Sequence, residues 1–172
     1  IRVTVDNTLS YRTTFPPRPM ADGAKNYNGI LRDLFIVATP KVWLNDLSVS
    51  VDAIEPKAAR LAVHTILSAK EIASIPQLAG LPFQMSVEVT DAATGVAVGK
   101  PTVVSVIPAS MQDVPVQVLV TIPNAKIWSP DTPDLYSVKV TLSAVSGKKD
   151  SLIDETMVTT GLATIFGEIT TS

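Results

Sequence analysis

The stretch FQMSVEVT, residues 83–90, decides the fold class, because apolar and polar residues alternate along it without a miss. Residues 136–143, YSVKVTLS, repeat the pattern, and residues 116–122, VQVLVTI, follow it with one extra apolar residue, Leu119. Successive side chains of a strand point to opposite faces, so this alternation places one face on a core and the other in water. The three stretches, rich in Val and Thr, predict half-buried antiparallel strands.

Weaker strand patterns occupy much of the remaining chain, at residues 42–51, 60–67, 96–106 and 153–160. Pro, Gly, Asn and Asp residues, which favour turns, separate them. Seven or so short strands at this spacing are typical of an all-β, immunoglobulin-like antiparallel β-sandwich, and we predict this fold for residues 41–165. A helical turn is the alternative for residues 69–79, where Pro76 would keep it short.

The first 40 residues follow a different pattern. Residues 1–5 and 31–39 have the composition of strands, and the Pro-containing residues 13–25 between them predict a loop. Two strands and a long loop cannot bury a core of their own, because an isolated hairpin is marginally stable in water. We therefore interpret residues 1–40 as an N-terminal strand-loop-strand segment, the remnant of a preceding β domain. A flap on the sandwich is the alternative.

The composition excludes several classes of function. Of the 172 residues, 46% are apolar, and the net charge of −2 offers no basic field to nucleic acid or to an acidic membrane surface. The absence of Cys removes disulfides, thiolate zinc sites and Cys nucleophiles, and a single His cannot form a His cluster. A (β/α)₈ barrel typically needs about 250 residues, which is more than these 172. A membrane helix needs about 20 consecutive apolar residues, and no apolar run in the sequence is that long. We therefore expect no metal, no cofactor, no nucleic-acid partner and no membrane partner.

Two stretches carry a resemblance to a known family. Residues 26–40, NYNGILRDLFIVATP, resemble the end of the sugar-binding domain in glycoside hydrolase family 2, the group of β-galactosidases, β-glucuronidases and β-mannosidases. Residues 127–136, IWSPDTPDLY, are similar to the family's Trp-Ser-Pro-x-x-Pro-x-Leu-Tyr signature. The sequence departs from the family at Asn28, Leu31 and Ala163, where the family has Gly, an aromatic residue and Arg. The matching residues, which we interpret as structural, are Asn26, Gly29, Arg32, Asp33, Trp128, Pro130, Pro133, Tyr136 and Gly161.

The resemblance implies a place for this chain within a larger enzyme. Residues 1–40 would end a sugar-binding domain, residues 41–165 would be the immunoglobulin-like domain, and residues 166–172 would form a tail towards a catalytic barrel that this chain lacks. By resemblance, the parent hydrolyses β-glycosides with retention, which uses two carboxyl groups about 5 to 5.5 Å apart. The chain itself would hold the other domains of the parent in register and meet carbohydrate through the parent. The alternative is a free-standing immunoglobulin-like binding or adhesion module.

The acidic residues of the chain form no catalytic pattern of their own. Asp131 and Asp134 flank a turn, while Asp154 and Glu155 are neighbours whose side chains point to opposite faces of a strand. Turn capping and solvated charge at a sheet edge explain these residues. We therefore assign no catalytic residue, and we predict that this chain alone is inactive.

Some motif residues have a direct physical interpretation. Gly29 can accept a positive φ, which would turn the following residues onto a core. We expect Trp128 to act as an apolar plug at the end of the sandwich, beside a corner that Pro130 and Pro133 stiffen and from which Tyr136 enters the next strand.

Aromatic residues of the N-terminal segment are the candidates for a carbohydrate contact: Tyr11, Phe15 and Tyr27. Their rings can form a small surface for a sugar, and the alternative is that they contact the preceding domain. In the predicted strand 60–67, His64 lies on the face opposite the apolar residues, which predicts a structural role for it.

Overall fold

The computed structural model describes residues 2–5, 29–30, 32–78, 80–107, 112–147 and 149–163. The predicted loop 13–25, the tail 166–172 and the residues Tyr11, Asn26 and Tyr27 lie outside the described residues, as does Phe15 within that loop. The strands in chain order are β1 (Trp43–Glu55), β2 (Ala58–Ser68), β3 (Phe83–Asp91), β4 (Thr102–Val106), β5 (Val114–Pro123), β6 (Leu135–Ser146) and β7 (Lys149–Gly161). A short 3₁₀ helix, Ile72–Ser74, lies between β2 and β3, so the helical turn is the alternative that the structure confirms for this stretch.

The strands form two antiparallel sheets. One has the order β1-β2-β5 and the other the order β4-β3-β6-β7. This is the predicted all-β sandwich, with the strand layout of an immunoglobulin-like domain in which the fourth strand pairs with the third. The backbone N–H of Leu44 in β1 donates to Asp154 Oδ2 in β7 at 2.7 Å, which joins one sheet to the other.

The buried face of each sheet follows the alternation seen in the sequence. In β3 every second residue from Phe83 to Val89 is buried, and β6 repeats this from Tyr136 to Ala144. The register pairs Val87 with Val140, so the buried rows of the two strands lie side by side. The extra apolar residue of β5, Leu119, is 49% exposed on the solvent face. The period of two therefore predicts the core-facing residues correctly.

The strand predicted at residues 31–39 is not observed. Residues 33–40 are described without any strand pairing, and Leu34, Phe35 and Ile36 are between 69% and 78% exposed. Residues 2–5 are likewise unpaired. A strand is defined by hydrogen bonds to a neighbour, and within the described residues these segments have none, although their composition suits a strand.

The strand predicted at residues 96–106 is shorter than expected. Only Thr102–Val106 forms β4, and Ala97 contributes an isolated bridge to Thr90. Gly99 has a φ of +83°, and a Cβ there would lie 3.2 Å from the carbonyl oxygen of Thr121. A left-handed glycine in close approach to a neighbouring strand interrupts the extended chain, so the pairing begins again only after it.

The chain divides into two units, Ile1–Ala38 and Thr39–Ser172, and the sandwich belongs to the second. No helix in the described ranges has the length and apolar character that crossing a membrane requires.

Candidate functional site

The residues of the Trp-Ser-Pro motif meet the ends of β3 and β7 at one end of the sandwich. We name this region the Trp128 corner and define it as residues 91–95, 126–136 and 161–162. The strand register explains why these segments lie together, because Tyr136 near the start of β6 pairs with Asp91 of β3 on one side and with Thr160 of β7 on the other. Residues distant in the chain are thereby brought to one level of the same sheet.

The hydroxyl of Tyr136 anchors the loop that leads into β6. The side chain is buried at 3% exposure, and its oxygen accepts a hydrogen bond from the backbone N–H of Lys126 at 2.8 Å. A tyrosine near the start of the sixth strand that bonds back to upstream backbone is a known corner of immunoglobulin-like sandwiches. The ring thus fills the core while the hydroxyl holds the loop.

The carboxylate of Asp91 organises the turn that follows β3. Its Oδ1 accepts hydrogen bonds from the backbone N–H groups of Ala93 and Thr94, at 3.1 and 3.0 Å, and from the Thr94 hydroxyl at 3.0 Å. Its Oδ2 lies 3.0 Å from Lys126 Nζ. The hydrogen bond from Lys126, followed by those from Thr94, lowers the pKa of Asp91 from 3.8 to about 2.

The ammonium group of Lys126 connects this turn to the motif loop. Besides Asp91, its Nζ lies 3.4 Å from Asp134 Oδ1, and hydrogen bonds to Asp91 and then Asp134 raise the pKa of Lys126. The lysine side chain is 55% exposed, so salt screens the attraction between these charges. The position of this ammonium group matters more than the strength of its ion pairs, because it contacts one carboxylate at the end of β3 and another in the motif loop.

Trp128 packs directly on the backbone at the end of β7. The indole covers Gly161 so closely that a Cβ on this glycine would lie 2.9 Å from Trp128 Cδ1 and 3.0 Å from Cγ. The backbone N–H of Trp128 donates to the carbonyl of Leu162 at 2.8 Å, and Leu162 is fully buried. Gly161 is therefore required by the approach of the ring, and the residues that leave β7 are fixed on two sides.

The motif turns tightly between Ser129 and Thr132. The two hydroxyls share a hydrogen bond of 2.7 Å, and the Ser129 hydroxyl also accepts from the Thr132 backbone N–H at 3.0 Å. The Ser129 N–H donates to the Thr132 carbonyl at 3.0 Å. Pro130 follows the serine at a turn position that suits its fixed φ, so the sequence Ser-Pro-Asp-Thr is a local turn by its own chemistry.

The structure separates the motif residues into two groups. At the Trp128 corner it brings together Trp128, Pro130, Pro133, Tyr136 and Gly161. The other unit holds Gly29, Arg32 and Asp33, where Gly29 has the positive φ, +102°, that its sequence context predicts, and the other two are exposed.

The prediction that Trp128 is an apolar plug needs correction. Its side chain remains 37% exposed, so the ring covers the end of the sandwich without being enclosed by it.

The sequence alone does not indicate the contact between Asp91 and Lys126 at this corner. The turn at residues 91–95 carries an Asp-x-x-Thr-Gly pattern that indicates a capped turn, but nothing in the sequence indicates that Asp91 binds Lys126. Lys126 itself has no local signal, because its partners come from β3 and from the far side of the motif. Within the described ranges, no three His, Asp or Glu side chains lie together as a metal site would require.

The fold and the Trp128 corner define the class of this protein as an immunoglobulin-like β-sandwich domain. The profile of the family described as Glycosyl hydrolases family 2 matches residues 42–162, and the chain belongs to this family. The match spans the whole sandwich, from the residue before β1 to the one after β7. No curated protein sequence matches the chain.

Solved structures show the same fold. A family 2 glycosyl hydrolase from Bacteroides cellulosilyticus superposes with a TM-score of 0.55 at 18% identity, over 72% of this chain and 16% of that one. The β-glucuronidase of Bacteroides uniformis superposes with a TM-score of 0.59 at 15% identity, over 72% of this chain and 14% of that one. The β-glucuronidase of Bifidobacterium dentium superposes with a TM-score of 0.52 at 15% identity, over 70% of this chain and 18% of that one. The chain thus spans less than a fifth of the length of each of these proteins.

Proposed function

We propose that this chain is the non-catalytic β-sandwich domain that joins a sugar-binding domain to a catalytic barrel, in an enzyme that hydrolyses β-glycosides with retention. The observation that carries the proposal is the Trp128 corner. Trp128 packs on Gly161 and bonds to Leu162, so the sandwich itself sets the direction in which the chain leaves β7. A domain that positions its neighbours needs such a fixed exit.

The carboxylates of the described sandwich support a structural role. Retaining hydrolysis needs two free carboxyl groups facing one cleft. Here five acidic residues serve the fold: Asp91 binds Lys126 at 3.0 Å, Asp113 binds Lys70 at 2.7 Å, Asp154 accepts from Leu44, and Glu88 and Glu155 lie 3.6 and 3.8 Å from Lys139. The ion pair with Lys70, and then the hydroxyl of Ser68, lowers the pKa of Asp113, which suits a permanent anion better than a proton donor.

The segment before the sandwich supports a preceding domain. Residues 34–37 expose four apolar side chains in a row, with Phe35 at 76% and Ile36 at 78%. Successive side chains of an extended chain point to opposite sides, so both sides of this segment are apolar. A strand that is apolar on both sides suits a sheet covered on both faces. We propose that the sugar-binding domain of the parent supplies this sheet and that residues 1–40 are its last part.

The first experiment measures hydrolysis by the 172-residue chain. We expect no release of p-nitrophenol from its β-galactoside, β-glucuronide or β-mannoside above the buffer rate, with an active family 2 enzyme as the positive control. Turnover that copurifies with the chain and survives a second purification would refute the non-catalytic role.

The second experiment examines the parent. We expect the gene to continue past residue 172 into a barrel of roughly 250 residues with two catalytic carboxylates. The complete enzyme should release the β anomer first, which NMR of the fresh product detects. A stop codon or further sandwiches would favour the free-standing binding module, and an α product would refute retention.

A further inference from the structure

A groove of about 500 Å³ lies on the solvent face of the β1-β2-β5 sheet, apart from the Trp128 corner. Its polar lining residues are Asp46, Ser48, His64, Thr65 and Gln117, and its apolar lining includes Ile66 and Pro115. The volume is in the range of small-molecule sites. The groove lies entirely within the sandwich unit.

The groove lies at a bulge in β1. The register between β1 and β2 shifts between Asn45 and Ser48, and Asp46 within the bulge has a φ of +50°. Two hydrogen bonds hold this conformation: Asp46 N–H donates to Asn45 Oδ1 at 3.0 Å, and Thr65 Oγ1 donates to the Asn45 carbonyl at 2.8 Å. Thr65 is 2% exposed, so the bulge is anchored from the core. Left-handed residues other than glycine are uncommon, and bulges are frequent beside functional sites.

The remaining polar groups form a row across three strands. His64 in β2 pairs with Ser48 in β1 on one side and with Gln117 in β5 on the other. Neighbouring strands lie about 4.8 Å apart, so a hydroxyl, an imidazole and an amide span about 10 Å beside the carboxylate of Asp46. Together they offer hydrogen-bond donors and acceptors in one row.

We propose that this groove binds a neutral oligosaccharide. Sugar hydroxyls both donate and accept hydrogen bonds, as the row does, and the C–H faces of a sugar ring suit an apolar lining that includes Ile66 and Pro115. Asp46 is the one acidic residue of the groove, so it accepts from hydroxyls and repels an anionic sugar. The proposal does not depend on the joining role of the domain.

The test uses His64 as a probe, because it is the only histidine of the chain and its ring gives an isolated NMR signal. The chain is titrated with cellobiose and with lactose to about 100 mM, since a shallow groove gives weak binding. We expect a saturable shift of the His64 signal with at least one disaccharide, a weaker response to glucuronate, and none to myo-inositol. No saturable shift, an equal response to myo-inositol, or equally strong glucuronate binding would overturn the proposal.

Variants assign the binding to the groove. Asp46→Asn keeps a residue type that tolerates a positive φ but removes the charge, and we expect disaccharide affinity to fall about tenfold. Gln117→Ala tests the row independently, with a similar loss expected. Asp150→Asn, an exposed residue of β7 in the other sheet, is the charge-matched control and should bind as the unmodified chain does. Unchanged affinity in folded Asp46→Asn and Gln117→Ala would overturn the assignment.

Discussion

Replacing Gly161 by Ala tests the contact on which the Trp128 corner depends. The new Cβ would lie 2.9, 3.0 and 3.1 Å from Trp128 Cδ1, Cγ and Cβ, all closer than carbon atoms normally approach. Overpacking of this kind costs about 1–3 kcal/mol. Gly161 does not have a positive φ, so alanine fits its backbone and stiffens the unfolded chain, which contributes about 0.4–1 kcal/mol in the other direction. We expect a net loss of about 1–2 kcal/mol in the free energy of unfolding.

A second substitution separates the clash from every other effect of the alanine. Trp128→Ala removes a ring that is 37% exposed. It loses roughly 150 Å² of buried apolar surface, which at about 20–33 cal/mol per Å² is about 3–5 kcal/mol. With the ring gone, Gly161→Ala has space, and its entropic benefit remains. We therefore expect Gly161→Ala to become neutral or to stabilise the Trp128→Ala background by up to about 1 kcal/mol.

The assay is urea unfolding followed by far-UV circular dichroism, since the Trp128 substitution itself changes the fluorescence. Gly147→Ala is the matched control, because its φ is +65° and nothing lies within 4 Å of its added Cβ. Gly147→Ala should lower the free energy of unfolding by the same amount in the unmodified chain and in Trp128→Ala. If Gly161→Ala changes stability equally with and without Trp128, or stabilises the unmodified chain, the close approach of the ring does not explain the glycine.

Three further predictions concern polar contacts of Tyr136, Asp91 and Thr65. Tyr136→Phe leaves the Lys126 N–H without its partner and should cost about 1–2 kcal/mol in urea unfolding, whereas a change below about 0.3 kcal/mol would contradict the corner role of the hydroxyl. The pKa of Asp91 is about 2 in the folded chain, below its unfolded value, so its contribution to folding stability is present above about pH 4 and is lost as the pH falls through 2. The difference in the free energy of unfolding between the unmodified chain and Asp91→Asn should therefore shrink between pH 4 and pH 2. A difference that stays constant from pH 7 to pH 2 would refute this prediction. Thr65→Val removes the donor to the Asn45 carbonyl while keeping the shape, and we expect a loss of about 1 kcal/mol by thermal unfolding, with no loss meaning that the bulge does not need this bond.

Local pattern was enough to predict the sandwich, because its strands are half-buried. In β3 and β6 each residue faces either the core or water, so the sequence of Phe83–Asp91 shows the period directly. Composition alone predicts a strand at residues 31–39, which include the apolar run 34–38, but the described residues of this segment form no strand. Composition describes what a segment can bury, but pairing requires a neighbour, and none is present for it within the described residues.

The corner could be predicted only in part. The family resemblance identifies Trp128 and Tyr136, but only the folded register shows that the indole lies on Gly161. Lys126 illustrates the limit more sharply, because its carboxylate partners, Asp91 and Asp134, come from different elements. A contact that depends on the register of three strands has no signature in any one of them.

The corner restrains the exit of the chain through links that are chemically independent. The Tyr136 hydroxyl holds the start of the motif loop, the Lys126 ammonium connects that loop to the turn after β3, and the Trp128 indole presses on the end of β7. A single link would leave the loop free to pivot about it, whereas links to β3, β6 and β7 define an orientation. Since salt weakens only the lysine link, the exit should keep its direction at high ionic strength. The joining role that we propose therefore rests on residues of the sandwich itself, because the contacts of Trp128 with Gly161 and Leu162 fix the end of β7.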